Sequence, residues 1–112
     1  MEQIKKAVSF LDEKKADNIK IIDVKGISPI TDYMIIASAE TQKHSRTLAE
    51  NVKVKMKKEL GINCDHMDGY ENGEWIIMDY FDFLVHIFLK SSREFYDIEN
   101  LYRDSKEVAI ND

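Results

Sequence analysis

"EWIIMDYFDFLVHIFLK", residues 74–90, decides the fold class. In its first half Trp75, Ile77 and Asp79 alternate with Ile76 and Met78, so the two sets take opposite faces of a strand, and both faces are apolar. In its second half Phe83, Val85 and Ile87 alternate with Leu84, His86 and Phe88, again apolar on both sides. Two neighbouring strands of this kind need helices on both faces, or helices on one and a partner on the other. The stretch also holds Asp79, Asp82 and His86, three groups that water would stabilise, in one of the most apolar parts of the chain. They either perform chemistry there or shape a surface that something binds.

Outward from these strands, "ENGE" (Glu71–Glu74) predicts a hairpin turn, with a weaker strand before it from His66 to Tyr70. After them, Ser91 or Ser92 is placed to cap a last helix, "REFYDIENLYRD", with Phe95, Ile98, Leu101 and Tyr102 at helical spacing. Near the N-terminus, Ile4, Ala7, Val8 and Leu11 predict a short amphipathic helix from about Glu2 to Lys15. The β-branched runs Ile19–Val24 and Asp32–Ser38 predict two strands, joined through Gly26 and Pro29. Thr41 is a helix cap and Gly61 a terminator, with Ser45, Leu48, Ala49, Val52 and Met56 on the inner face between them. The order αββαβββα predicts one α/β (α+β) domain over residues 1–112, a mixed five-stranded sheet flanked by helices.

A chain of 112 residues, 44% apolar and 33% charged with a single proline, is long enough for one core and is composed like an ordered globular protein. Its start carries charge on both sides of a short apolar pattern, which fits neither a signal peptide nor a spanning helix, so a cytoplasmic protein is expected. The lone Cys64 excludes an internal disulfide and a thiolate zinc site, and is expected to be a small, partly buried residue. Charge is segregated: 12 Lys and Arg against 9 Asp and Glu up to Gly61, then 4 against 12. The second half should repel phosphate backbones and attract a basic protein, with little direct nucleic-acid contact. Lys53, Lys55, Lys57 and Lys58 read as a solvated helix face.

Paired carboxylates such as Asp79 and Asp82 can hold Mg²⁺ for phosphoryl or nucleotidyl transfer, but that chemistry also needs a phosphate cradle. The chain has no glycine-rich loop, no nucleophile elbow and no pair of histidines at ligand spacing; His44, His66 and His86 fall on different elements. An Asp beside a turn commonly accepts backbone N–H bonds, and a lone mid-strand histidine is commonly structural. No catalytic residue, metal or cofactor is therefore expected, and a Mg²⁺-dependent nucleotidyltransferase-like enzyme stands as the alternative.

Four motifs recur in order: "DV.G.S..TDY..IAS" (Asp23–Ser38), "W...D" (Trp75–Asp79), "D..VH.F" (Asp82–Phe88) and "R..Y.IE.L" (Arg93–Leu101). Through these the chain resembles the Iojap family of ribosomal silencing factors over nearly its whole length. The resemblance implies a fold similar to nucleotidyltransferases, used without catalysis. It also implies binding to the large ribosomal subunit through its fourteenth ribosomal protein, a block on subunit joining, and dimers of the free protein. Trp75 and Tyr80 offer the aromatic area that dominates interfaces. With Asp82, Asp79 and His86 they are the expected partner-binding residues, while Asp32 and Arg93 are expected as internal polar structure and Tyr33 as core. Three positions depart from the family: Phe81 where a glycine usually separates the two aspartates, Asp68–Gly69 for a usual Glu-Gly, and Tyr102 for a tryptophan. Because a Cβ disfavours positive φ, Phe81 is expected to alter the Asp79–Asp82 turn and to add apolar contact.

Overall fold

The computed structural model describes residues 1–110. Helix α1 (Glu2–Glu13) buries Ile4, Ala7, Val8, Phe10 and Leu11, which includes the four positions its periodicity marks. Helix α2 (Gln42–Leu60) starts where Thr41 Oγ1 accepts the His44 backbone N–H at 3.0 Å, satisfying a donor the helix cannot. It stops at Gly61, whose φ of 69° is the left-handed turn that lets its N–H reach Lys57 O. Its buried residues are the five expected, Ser45, Leu48, Ala49, Val52 and Met56.

These two helices pack on one face of a sheet built from β1 (Asp17–Asp23), β2 (Tyr33–Ala39), β3 (His66–Asp68), β4 (Trp75–Asp79), β5 (Phe83–Leu89) and β6 (Lys106–Val108). The strand order is β3-β4-β5-β2-β1-β6, with β2 and β5 parallel and every other pair antiparallel. The sheet is mixed, as expected, but has six strands rather than five. The additional strand β6 is three residues long with one half-buried apolar side chain, Val108, so no alternation announces it. It forms because β1 would otherwise present an unpaired edge, and Val108, Glu107 and Lys106 pair with Ile21, Ile22 and Asp23.

The last helix is also corrected. It begins at Lys90, with no side-chain cap from Ser91 or Ser92, and it breaks at Asp97, where φ 48° and ψ 49° are left-handed. Two short helices result, α3 (Lys90–Tyr96) and α4 (Ile98–Leu101), on the second face of the sheet. The break resets the helical phase. Ile98 is buried and Tyr102 half-buried as predicted, but Phe95 and Leu101 are 81% and 71% exposed. The molecule is thus a single compact α+β domain, its mixed sheet covered by α1 and α2 on one side, with Ile19, Met67 and Val108 toward its edges only partly buried, and partly covered by α3 and α4 on the other. No helix of the described residues is long and apolar enough to cross a membrane.

Candidate functional site

The register of β4 against β5 sets Trp75 opposite Phe88, Ile77 opposite His86 and Asp79 opposite Leu84, so these six share the half-covered face. The Trp75 ring lies on Phe88 at a centroid distance of 4.9 Å and 23° between planes, with Tyr96 of α3 at 4.7 Å. Phe95 meets Tyr96 edge-on at 5.1 Å. Helix α3, starting directly after β5, sets Tyr96 against Trp75 with Phe95 beside Tyr96, and the helical period of the sequence carries no signal for that contact.

Trp75 Nε1 donates to His86 Nδ1 at 3.1 Å. An indole N–H can only donate, so Nδ1 carries no proton and the neutral ring holds its hydrogen on Nε2. Burial supports that state: His86 is 5% exposed and its pKa is pulled down to about 4. The Nε2 atom is buried without a hydrogen-bond partner among the described residues. His86 is therefore buried and fixes the indole of Trp75 through this hydrogen bond. No group of three or more His, Cys, Asp or Glu among the described residues is arranged to hold a metal.

Asp79 and Asp82 sit away from this cluster, Asp79 about 13 Å along β4 from Trp75 at the usual strand rise. Asp79 Oδ1 accepts the Phe81 N–H at 2.8 Å, and Tyr80 N–H closes the turn onto Phe83 O at 3.0 Å. Phe81 adopts φ 67° despite its Cβ, a conformation that costs an L-residue about 1 kcal/mol or more. Thr31 Oγ1 helps hold it by donating to Phe81 O at 3.2 Å, and the Asp82 carbonyl accepts from the N–H groups of Asp32 and Tyr33. The Phe81 ring is 67% exposed and the Asp82 side chain faces solvent.

Tyr80 lies elsewhere than its expected surface position. The alternation that turns Trp75 outward turns Ile76, Met78 and Tyr80 toward α1 and α2; Tyr80 is 4% exposed and stacks on Phe83 at 5.1 Å. Its hydroxyl is buried without a partner among the described residues, and burial raises its pKa. Asp32, expected inside, is exposed. Arg93 is internal, as expected, donating to Glu99 at 2.8 Å, to Asn18 O at 2.7 Å and to Ser38 Oγ at 2.8 Å, which ties α3 to β1 and β2. That guanidinium holds the Glu99 carboxyl below its ordinary range. Tyr33 is half-buried against the core, and its hydroxyl accepts from Lys25 at 2.8 Å. Cys64 is half-buried, its thiol donating to His66 O.

Comparison with known proteins bears on what such a face is for. The family model described as ribosomal silencing factor during starvation matches residues 1–112. A protein of Halalkalibacterium halodurans named ribosomal silencing factor RsfS is 34% identical over 109 residues, which span 97% of this chain and 92% of that protein. A mouse protein named mitochondrial assembly of ribosomal large subunit protein 1 is 30% identical over 98 residues, 85% of this chain and 42% of that one. The crystal structure of a Chromobacterium violaceum protein superimposes with a TM-score of 0.85 at 34% identity, covering 89% of this chain and 82% of that one.

Proposed function

This chain belongs to the ribosomal silencing factor family, regulatory proteins rather than enzymes, and on that premise we propose that it binds the large ribosomal subunit at its intersubunit face and keeps the small subunit from joining. The protein target is the fourteenth ribosomal protein of that subunit, the complex is cytoplasmic, and the free protein is a homodimer. The observation that carries this reading is the aromatic cluster of Trp75, Phe88, Tyr96 and Phe95 on a sheet face that its own helices cover only in part. A tryptophan held by a hydrogen bond from beneath and flanked by exposed rings has the form of an interface anchor, rigid before it meets its partner.

Away from the aromatic cluster, Asp79 and the exposed Asp82 give the β4–β5 turn an acidic character suited to a basic ribosomal protein, and exposed Phe81 adds apolar area there. Tyr80 contributes from beneath by supporting the turn, and His86 by orienting Trp75. No turnover is needed. A body whose Cα atoms extend over 32 × 32 × 26 Å obstructs a joint between two large surfaces once an interface of about 800 Å² per partner holds it there. The nucleotidyltransferase-like architecture serves in this reading as a platform.

Sedimentation of the purified protein with isolated subunits tests the proposal. It should comigrate with large subunits, and with the isolated fourteenth protein, but not with small subunits. Equal association with both subunits, or with neither, would reject it.

A further inference from the structure

The side of the molecule opposite the aromatic cluster has a charge arrangement that the net charge of −5 conceals. Residues 1–15 and 42–60, which contain the two helices of the covered face, hold ten Lys and Arg against five Asp and Glu; the remainder holds six against sixteen. Positive charge is thus stacked on one side of the sheet.

On α2 the cations form a strip. At 100° per residue, Lys43, Arg46, Lys53 and Lys57 fall within an arc of about 80°, and the 14 steps between the first and last extend it about 21 Å along the axis. The arc lies off the buried stripe of Leu48, Val52 and Met56, and Lys43, Lys53 and Lys57 are exposed. A shallow groove beside it is lined by Lys14, Lys43, Arg46 and Tyr70, with Glu50 as its one acid. Among the described residues Lys43, Lys53 and Lys57 make no ion pair, whereas Lys55, nearer α1, is engaged by Glu13 and Glu59. Arg46 donates to Glu71 O at 3.2 Å, which holds its guanidinium in the row. Glu50 is the sole acid within the arc.

We propose that this strip of α2 is a contact for the phosphate backbone of double-stranded RNA, on the face opposite the one that Trp75 occupies. A row dominated by uncompensated ammonium groups is suited to a polyanion, because each phosphate it neutralises releases condensed counterions. Lysine is a point charge that needs no bidentate register, so such a row reads charge density rather than sequence. A protein partner would call for a buried aromatic or aliphatic anchor at the centre of the patch. The strip has none: Val54 beside it is the one exposed large apolar residue of α2. The basic and the aromatic faces lie on opposite sides of the sheet, so a protein and an RNA can be engaged together.

The proposal does not depend on the ribosomal target and is tested without a ribosome. Fluorescence anisotropy of a labelled 20-base-pair RNA duplex should show binding by the full chain at low KCl. Its logarithmic dependence on salt should have a slope of about −3, from three or four neutralised phosphates. The triple variant K43E/K53E/K57E should bind at least tenfold more weakly at the lowest salt, and the corresponding Lys→Gln variant should fall between the two. Each variant should unfold cooperatively like the parent, since these side chains lie outside the core, with a slightly lower midpoint for the charge-reversed one because K57E puts an anion in the last turn of α2. Trp75→Ala should bind RNA as the parent does. Parent binding no tighter than that of the charge-reversed variant, or independent of salt, would overturn the proposal. So would displacement by polyglutamate as effective, charge for charge, as displacement by unlabelled RNA, because the strip would then fit an acidic protein.

Discussion

The two faces of the sheet are drawn from the same strands yet differ in kind. Beneath α1 and α2, strands β4 and β5 contribute Ile76, Met78, Val85 and Ile87, all fully buried among aliphatic and aromatic neighbours. On the other face they contribute Trp75, half-exposed, and His86, buried with one nitrogen unsatisfied, while α3 inserts the buried Arg93. One face is closed, and its packing supplies stability. The other is open at its aromatic end and buries His86 and Arg93, which cost stability unless they serve a geometry; the same holds in the closed face for the Tyr80 hydroxyl, unpartnered among the described residues. In the proposed reading the first face carries the stability of the fold and the second carries the ribosomal contact.

At neutral pH a cavity in the closed face should have the largest effect. Leu48→Ala, at a fully buried position between α2 and the sheet, should lower unfolding free energy by about 3 kcal/mol in urea titration. The protein that remains folded should bind large subunits normally; weakened binding at saturating stability would break the division between faces. Next comes the anchor. Trp75→Ala should weaken large-subunit binding by about 2 kcal/mol, roughly thirtyfold, with a smaller loss of stability than Leu48→Ala. A variant that unfolds would make Trp75 part of the core.

Acid should act on the open face through His86. Its folded pKa of about 4 lies below the ordinary value of 6.5, so above pH 6.5 neither state takes a proton there and stability is unaffected. As pH falls from 6.5 toward 4 the unfolded chain binds a proton that the folded protein refuses. Stability then drops by up to about 1.4 kcal/mol per pH unit, and the loss levels off once the folded state protonates as well. His86→Gln should flatten that segment of the profile. The smallest effect belongs to the turn: Phe81→Gly removes a Cβ from a residue at φ 67° and should raise stability by about 1 kcal/mol, read as a higher urea midpoint.

Much of this was legible in the chain. The alternation in residues 75–88 specified two strands apolar on both sides, and Thr41 and Gly61 bounded α2 to within a residue, because caps and periodicity are local signals. Strand β6 was not legible, since its reason is the open edge of β1, a consequence of topology. The break at Asp97 was likewise hidden: nothing in "EFYDIEN" forces a left-handed residue, and the packing of Ile98 on the second face carries the chain past it. Tyr80 was within reach. The same period of two that pairs Trp75 with Asp79 sends Tyr80 to the opposite side, so grouping it with Trp75 contradicted the strand's own alternation. The Tyr96 contact with Trp75 was hidden because it depends on α3 starting at Lys90, directly after β5, which no cap residue announced.

Formation of joined ribosomes from purified large and small subunits, titrated with this protein and followed by light scattering, tests the central claim most directly. The parent should abolish joining near one copy per large subunit, and Trp75→Ala, folded to the same extent, should require roughly thirtyfold more protein for the same inhibition. If Trp75→Ala blocks joining at the parent's concentration, the open face is not the recognition surface; if the parent leaves joining unchanged while bound to the large subunit, occupancy of the intersubunit space is not how it acts.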